Sequence, residues 1–291
     1  MQNDKTKNAD ESWDVIISSN RSSLSLRLNE IWRFKDLLFL FVKRDFIATY
    51  KQTILGPLWF FLQPLLTTIT YTVVFGLIAG LPTQGYPRPL FYLSGITIWS
   101  FFSECFAKTS STFITNANLF SKVYFPRLVV PLANLVSNLI RFGIQILMLV
   151  LVMIYYNFQG IAVIPNSFVL LFPALLIIAG GIGTAMGLFV SSLTTKYRDL
   201  QKLATFGISL LMYLSPVIFP LSAVKSELFQ KILLVNPMTS VVETFRYSVL
   251  GSNLPFTMWM PLLYSTCFMV VLLLISLSMF NKAQRNFMDT V

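Results

Sequence analysis

The sequence predicts an all-α, polytopic integral membrane protein with six transmembrane helices, an N-terminal amphipathic interface helix and two short re-entrant helices before the last span. Of the 291 residues, 55% are hydrophobic and 12% are charged, which is about half the charged fraction of a soluble domain. Six apolar segments are long enough to cross a bilayer, which takes about 20 helical residues. Loops rich in basic residues alternate with loops that are poor in them.

Composition also excludes several kinds of site. The chain has no histidine, which removes imidazole-based catalysis and histidine metal ligands. Cys105 and Cys267 lie in apolar stretches and form no CxxC pair, so neither a disulfide framework nor a thiolate metal site is indicated. The net charge of +10 is not clustered in a patch, and no nucleic-acid partner is expected.

The N-terminal part divides into two segments. Residues 1–28 are polar and contain no hydrophobic core of a signal peptide, so we expect a retained cytoplasmic segment. Residues 29–52 mix apolar and charged positions, with Ile31, Phe34 and Phe41 among those sharing one helix face with Leu38. Such a helix typically lies in the membrane interface. It serves either as a simple anchor or also as a surface for a cytoplasmic partner.

The transmembrane domain is predicted over 57–280, followed by a cytoplasmic tail over 281–291. Most of the 22 basic residues lie in the leader, in the loops after the second and fourth spans, and in the tail. The positive-inside rule therefore predicts that both termini are cytoplasmic. The six spans are predicted at 57–80, 90–107, 130–156, 167–193, 203–221 and 259–280.

Two ionisable residues, Glu104 and Arg141, lie inside predicted spans. Either would cost about 2.5–3.5 kcal/mol at the bilayer centre if it faced lipid. We expect Glu104 to pair with Lys108 four residues later on the same helix. Arg141 either pairs with Glu104 across helices or faces a polar path. It belongs to a polar stripe on the third span, which should face protein or water. The stripe consists of Asn134, Asn138, Arg141 and Gln145.

The segment 222–258 is too long and too apolar for a simple outer loop. Its apolar stretches 228–235 and 238–250 are too short to span a bilayer, and Asn236-Pro237 breaks the chain between them. This pattern predicts two short re-entrant or interfacial helices. Glu243 and Arg246 lie three residues apart on the second one and can form an ion pair.

Glycines in the fourth span indicate close helix packing. They are Gly180, Gly181, Gly183 and Gly187. The chain contains no Walker A motif (GxxxxGK followed by Ser or Thr), so no P-loop for ATP is predicted in it.

Eight short motifs occur in an order that resembles one family. They are VKRD at 42–45, YKQTILGPLW at 50–59, LQPL at 62–65, NLFSKVYFPR at 118–127, YRDL at 197–200, LSPVIF at 214–219, NPM at 236–238 and ETFR at 243–246. Together they resemble the permease subunits of type-2 ABC exporters that carry O-antigen, capsule and teichoic-acid polysaccharides. The resemblance extends over about residues 13–285.

The resemblance implies a non-catalytic permease subunit in a bacterial inner membrane. Its expected partners are a second copy of itself, two ABC ATPase subunits, membrane lipids and a lipid-linked polysaccharide substrate. No cofactor is expected in this chain, because ATP and Mg²⁺ would bind to the partner ATPase.

The resemblance also implies roles for particular residues. A cytoplasmic coupling helix in the loop 116–131 would include Leu119, Phe120, Lys122, Tyr124, Phe125, Pro126 and Arg127. The interface helix would include Arg44, Asp45, Tyr50 and Lys51. The resemblance also implies an aromatic-lined translocation path but does not fix which residues line it. The candidates, taken from their positions in the predicted spans, are Trp59, Tyr71, Phe75, Trp99, Phe102, Arg141, Phe206 and Tyr213. Glu243 and Arg246 are the candidate gate residues.

Two alternatives remain open at this stage. A type-2 ABC exporter of a lipid, a drug or another small amphiphile would have a closed apolar cleft, whereas a polymer requires a wide aromatic channel. An integral membrane transferase would need a cluster of catalytic acids near one membrane face. The acids Glu104, Asp199 and Glu243 are instead scattered along the chain, which argues against a transferase.

Overall fold

The computed structural model describes residues 28–51, 53–120, 122–123, 125–194, 197, 199–251 and 258–287. Every regular element in these ranges is a helix, as the composition predicts. The first two are α1 (Leu28–Arg33) and α2 (Lys35–Tyr50). They occupy the predicted position of the interface helix, while residues 1–27 lie outside the described part.

Five elements of the described chain are long and apolar enough to cross a membrane. The first is α3 (Trp59–Tyr71), which continues as a π-helix over Thr72–Ile78. The next three are α4 (Arg88–Ser110), α7 (Val129–Phe158) and α8 (Phe172–Thr194), and a 3-10 turn at Ser167–Leu171 precedes α8. Two short helices, α5 (Thr112–Thr115) and α6 (Ala117–Phe120), lie between α4 and α7.

The predicted fifth span, 203–221, is not one long helix. The helix α9 (Leu200–Tyr213) has 14 residues, so it is about 21 Å long and shorter than the roughly 30 Å hydrocarbon core. Pro216 and Pro220 follow it, and proline cannot continue a helical hydrogen-bond ladder. The described residues therefore contain five membrane-length helices, and the count of six spans stays a prediction.

The two short helices predicted after this segment are confirmed as helices. They are α10 (Glu227–Val235) and α11 (Pro237–Leu250), and α12 (Trp259–Phe287) ends the described chain. The side chain of Asn236 accepts a hydrogen bond of 3.0 Å from the backbone of Met238, and Pro237 occupies the first turn of α11. Both features favour a helix start at this point. Gly251 ends α11 in the left-handed conformation, with φ of +84°.

Helix α4 forms the centre of the fold. Most of its residues are buried, and it packs against α3, α7, α8, α9 and α11. A methyl group added at Gly183 would lie 2.5 Å from the carbonyl oxygen of Phe102, and one at Gly187 would lie 2.6 Å from Cβ of Thr109. The predicted role of these glycines in close helix packing is confirmed, because α8 approaches α4 where side chains are absent.

A second apolar cluster joins α2 to α5, α6, the start of α7 and α12. Phe41 and Val42 of α2 are buried together with Phe120, Phe125 and the α12 residue Phe280. The predicted apolar face of the N-terminal helix is confirmed, since Ile31 and Phe41 are buried and Phe34 and Leu38 are half-buried. The large apolar side chains of α1 and α2 that remain exposed are Trp32, Phe39, Leu40 and Ile47.

Candidate cleft and polar pairs

A cleft of about 420 Å³ opens between α3 and α9 and has α4 and α7 as its back wall. Its aromatic lining comes from Trp59 and Tyr71 of α3, Trp99 of α4 and Tyr213 of α9, with Phe60 beside them. The aromatic rings are interspersed with hydroxyl and amide side chains. This arrangement provides flat apolar faces for a ring and polar groups at its edges.

Helices α3 and α9 leave the cleft open because each packs against the rest of the chain along a narrow strip. In α9 only Ile208 is buried, and in α3 only Pro64 and Thr68 are. Apolar side chains on the remaining surface of these helices, such as Leu66 and Leu203, are exposed. Both helices therefore present unpartnered apolar faces on either side of the cleft.

An ion pair lies at the back of the cleft. Nη1 of Arg141 is 3.2 Å from Oε2 of Glu104, and the guanidinium lies 5.0 Å from the ring centroid of Phe60. The two side chains remain 17% and 36% exposed. The pair links α7 to α4 and keeps part of each charged group accessible from the cleft.

This ion pair overturns the expected local pair of Glu104 with Lys108. In the described structure Nζ of Lys108 is buried without a hydrogen-bond partner. Because α7 packs face to face with α4, the long guanidinium side chain reaches the carboxylate across the gap between helices. A pair with Lys108 would instead have to run along the surface of α4.

The polar stripe on α7 faces protein, as predicted. Nδ2 of Asn134 donates to the carbonyl oxygen of Lys108 at 3.3 Å, and Nδ2 of Asn138 donates to Sγ of Cys105 at 3.5 Å. Farther along the same face, Arg141 and Gln145 line the cleft. Both alternatives for Arg141 are therefore correct, since it pairs with Glu104 and also faces a polar cavity.

Five of the eight candidate path residues lie in the cleft, and three do not. Phe102 is fully buried in the core and Phe206 is exposed on the outer side of α9. Phe75 packs edge-to-face on Tyr71, with ring centroids 5.2 Å apart, and does not line the cleft. Helix rotation explains the difference, because residues equally deep in a span can face opposite directions. The five that line the cleft are Trp59, Tyr71, Trp99, Arg141 and Tyr213.

The sequence interpretation missed most of the polar lining of the cleft. The missed residues are Gln63, Thr67, Ser100, Ser103 and Ser209. A periodicity argument could have found part of this set. Trp59, Gln63, Thr67 and Tyr71 recur every four residues along α3, which places them on one helix face.

The predicted ion pair of the short helix α11 is confirmed. Nη1 of Arg246 lies 3.2 Å from Oε1 of Glu243, with the side chains 1% and 0% exposed. The same carboxylate oxygen accepts a hydrogen bond of 2.9 Å from the backbone of Leu221. Nη2 of Arg246 donates to the carbonyl oxygens of Pro216 and Val217 at 2.7 and 3.2 Å. The pair therefore fastens the segment after α9, including the 3-10 turn at Leu221–Ala223, to α11.

The loop predicted to couple to an ATPase has a buried part and an exposed part. Phe120, Phe125 and Arg127 are buried, whereas Lys122 and Val123 are exposed. Nη1 of Arg127 donates to the carbonyl oxygen of Gln284 in α12 at 2.9 Å, and burial lowers the pKa of its guanidinium. The half-buried residues of the set are Leu119 and Pro126, and Tyr124 lies outside the described residues. Its coupling role stays a prediction.

Three of the four candidate residues of the interface helix lie in the last two turns of α2, and Lys51 follows it. Arg44 and Asp45 form an ion pair of 3.2 Å, and the Arg44 guanidinium lies 4.8 Å from the ring centroid of Phe41. Lys51 is exposed, and the side chain of Tyr50 lies outside the described part. Their function stays a prediction as well.

Comparison with known proteins gives a consistent result along the chain. The family model described as "ABC-2 type transporter" matches residues 36–250. An O-antigen export system permease protein RfbA from Myxococcus xanthus is 29% identical over 267 residues, which cover 91% of this chain and 98% of the relative. A protein of the same name from Klebsiella pneumoniae is 28% identical over 269 residues, 92% of this chain and 99% of the relative. The polysialic acid transport protein KpsM of Escherichia coli is 24% identical over 257 residues, 86% and 93% of the two chains.

Proposed function

The chain belongs to the ABC-2 type transporter family, and from that premise we propose that it is the permease subunit of an ATP-driven exporter of a lipid-linked, O-antigen-like polysaccharide. One observation supports this more than any other. The similarity to O-antigen export permeases extends over nine-tenths of this chain and almost the whole length of each relative. A similarity of that extent includes the helices, the short helices before α12 and the loops between them.

The proposed exporter contains two copies of this chain and two copies of a separate ATPase, on which ATP and Mg²⁺ bind. The unpartnered apolar faces of α3 and α9 support a second copy at this side, where the cleft opens. The chain itself performs no chemical step. It provides the passage, and its inward-facing aromatic and hydroxyl side chains form the walls.

We further propose six crossings of the inner membrane, with both termini cytoplasmic. The crossing beyond the five long helices consists of α9 and the irregular segment that follows it, up to the 3-10 turn at Leu221–Ala223. Gly95 supports this, because a methyl group added there would lie 3.0 Å from the carbonyl oxygen of Val217. Gly95 is seven residues from the start of α4, about 10 Å along its axis. The segment after α9 thus comes close to the N-terminal end of α4, which is the outer end in this proposal.

In the same proposal, α10 and α11 enter the membrane from its outer face and close the passage as gate helices. The buried position of α11 supports this, because Glu243 and Arg246 are shielded by protein on all sides. On the cytoplasmic side, α1 and α2 lie in the membrane interface. The exposed residue Lys122, together with Val123, is the part of the coupling loop that meets the ATPase.

The lining of the cleft also distinguishes this proposal from the export of a small amphiphile. An amphiphile favours a closed apolar site, whereas this cleft is open on one side and carries Gln63, Ser100, Ser103 and Ser209 among its aromatic residues. Polar groups distributed along an aromatic wall suit a hydrated polymer. This observation favours the polysaccharide.

Deletion of the gene tests the proposed function directly. We expect a clean deletion to lose surface polysaccharide and to accumulate lipid-linked glycan inside the cell, since synthesis continues without export. Surface glycan is measured by gel profile and intracellular glycan by extraction, with a strain re-expressing the chain as the control. Normal surface polysaccharide in the deletion strain would contradict the proposal. Export of a small amphiphile that disappears with the deletion would support the alternative.

A further inference from the structure

An apolar groove of about 580 Å³ lies between α7 and α8, on a different face of α7 from the cleft. Its floor includes the buried residues Leu149 and Met153 of α7. Its far wall is the connection from α7 to α8, with Val163 and Pro165, followed by the 3-10 turn before α8. The side chains at its rim are between 43% and 86% exposed, and they are Val150, Ile154 and Leu170.

The groove covers one leaflet of a bilayer in length. Its lining on α7 extends from Ile146 to Asn157, which is about 17 Å along the helix axis. One leaflet accounts for about half of the roughly 30 Å hydrocarbon core, or about 15 Å. Tyr155 lies at the outer end of the groove in the proposed orientation, is exposed, and accepts a hydrogen bond of 2.7 Å from Gln159. Tyrosine typically lies at headgroup level, so the groove extends from near the bilayer centre to the headgroups.

The groove is uncharged as well as apolar. Residues 142–195 contain no charged side chain. Asn157 is the polar residue of the described lining, and both ends of its amide bond to the backbone of Val163, at 3.2 Å to the carbonyl oxygen and 2.8 Å from the nitrogen. An ionic headgroup therefore finds no partner in the groove. Ordered water also needs polar partners, which an apolar groove does not supply.

A lipid acyl chain matches the groove in length, depth and polarity. A chain of one leaflet extends over about 15 Å and has no hydrogen-bonding group within the hydrocarbon core. A concave wall contacts more of its methylene groups than a flat helix surface does, and each contact adds dispersion attraction. The second copy of the chain is proposed at the cleft, on another face of α7, which leaves the groove facing lipid.

The groove also adjoins α11. Val249, near the end of α11, lines the groove together with Val163 and Pro165 of the connection. The backbone nitrogen of Asn166 donates to the carbonyl oxygen of Ser248 at 3.2 Å. The connection therefore lies between the groove and α11, and a chain bound in the groove would support both.

We propose that this groove binds one acyl chain of an outer-leaflet phospholipid in each copy of the protein, and that the bound lipid supports the connection to α11. The partner is a bilayer phospholipid rather than the exported substrate. Because the groove carries no charge, the acyl chain and not the headgroup determines binding, so zwitterionic and anionic phospholipids bind equally well. The assignment to the outer leaflet rests on the proposed function and its orientation, whereas the occupant of the groove does not.

The test counts the phospholipids that the chain retains in complex with its ATPase. The complex is taken from nanodiscs of phosphatidylethanolamine and phosphatidylglycerol in equal amounts and measured by native mass spectrometry. Val150→Trp fills the groove with an indole ring, and Val150→Asn places an amide in its wall. Leu151→Trp and Leu151→Asn are the matched controls, because Leu151 is the next residue of α7, is 55% exposed and does not line the groove.

We expect the wild type and both Leu151 variants to retain one more phospholipid per copy than either Val150 variant, with the two headgroups equally represented. Amide hydrogen exchange gives a second readout. Exchange over residues 161–166 should become faster in Val150→Asn, where the groove loses its chain, and stay unchanged in Val150→Trp, where the indole replaces it.

Four results would overturn the inference. Equal retention by the wild type and Val150→Trp would show that protein rather than lipid covers the groove. Retention of the anionic lipid alone would show that a headgroup site directs binding. Displacement of the retained phospholipid by added polyprenyl phosphate would assign the groove to a substrate carrier. Misfolding of both Val150 variants would show that Val150 packs against protein.

The proposed function and this inference can fail separately. If the deletion strain retains surface polysaccharide, the proposed function is wrong, whatever the lipid counts are. If that strain loses surface polysaccharide while the wild-type chain and Val150→Trp retain equal numbers of phospholipids, the chain is an exporter and only the lipid site is wrong.

Discussion

Two glutamate–arginine pairs of the described chain have the same 3.2 Å separation and different surroundings. Glu243 and Arg246 are less than 2% exposed and are held by backbone groups of the segment after α9. Glu104 and Arg141 are 36% and 17% exposed and open onto the cleft. The first pair is enclosed by protein on every side, and the second remains partly accessible.

The difference teaches what each pair does for the molecule. An enclosed ion pair contributes to folding stability when its remaining hydrogen bonds are also made. Removing one partner leaves the other charge buried and unpaired. The pair on α11 thus maintains one arrangement of α11 and the segment after α9. A partly exposed pair contributes little to stability, so the fold depends less on the pair in the cleft.

The largest expected effect follows from breaking the enclosed pair. Arg246→Met leaves the carboxylate of Glu243 without its cation and the carbonyl oxygens of Pro216 and Val217 without their donor. We expect a loss of about 3–5 kcal/mol in stability, measured as a lower Tm in nanodiscs. The double variant Glu243→Gln with Arg246→Met should be more stable than Arg246→Met alone, because no buried charge remains. A Tm of Arg246→Met equal to the wild type would show that the pair does not hold the two segments together.

The next effect concerns the cleft and separates stability from transport. Arg141→Met should lower stability by about 1 kcal/mol or less, since the pair with Glu104 is partly solvated. Export of surface polysaccharide should nevertheless fall roughly tenfold, because a charged hydrogen-bond donor is lost from the cleft. Lys225→Met is the control, because Lys225 is an exposed basic residue away from the cleft. A large drop in Tm would show that both pairs are structural.

The smallest effect on stability is expected from a change at Lys122 in the loop after α6. This loop shows the same contrast between a buried and an exposed charged residue, here Arg127 and Lys122. Arg127 is buried against α12, whereas Lys122 is exposed. Lys122→Glu should leave Tm unchanged and reduce co-purification of the ATPase, because it reverses a charge on the surface proposed to meet that subunit. Lys225→Glu is the matched control outside the loop. Normal co-purification and normal export in Lys122→Glu would assign the contact to another surface.

Features that depend on neighbours along the chain could be predicted from the sequence. Helices α10 and α11 are each within about one residue of their predicted bounds, because Asn236-Pro237 ends one helix and starts the next. The pair Glu243–Arg246 follows from a separation of three residues on a helix. The apolar face of α2 follows from the same periodicity.

Features that depend on how helices pack could not be predicted in the same way. Sequence spacing favoured Lys108 as the partner of Glu104, whereas the structure brings Arg141 to it from α7. The depth of Phe102 and Phe206 in their spans was compatible with a path, but one faces the core and the other faces outward. The break after α9 also shortened a segment that hydropathy alone extends to 221.

By itself, the sequence determined a helical membrane protein, the positions of its short helices and the local pair on α11. These features depend on helix periodicity and on the free energy of transferring side chains out of water, and both can be evaluated over a few neighbouring residues. The tertiary structure alone decided the cleft and the pairing of Glu104 with Arg141. These depend on the rotation of α7 against α4 and on the distance of approach that glycines such as Gly183 allow. Rotation and distance between helices are set by packing across the whole membrane domain, which no local pattern encodes.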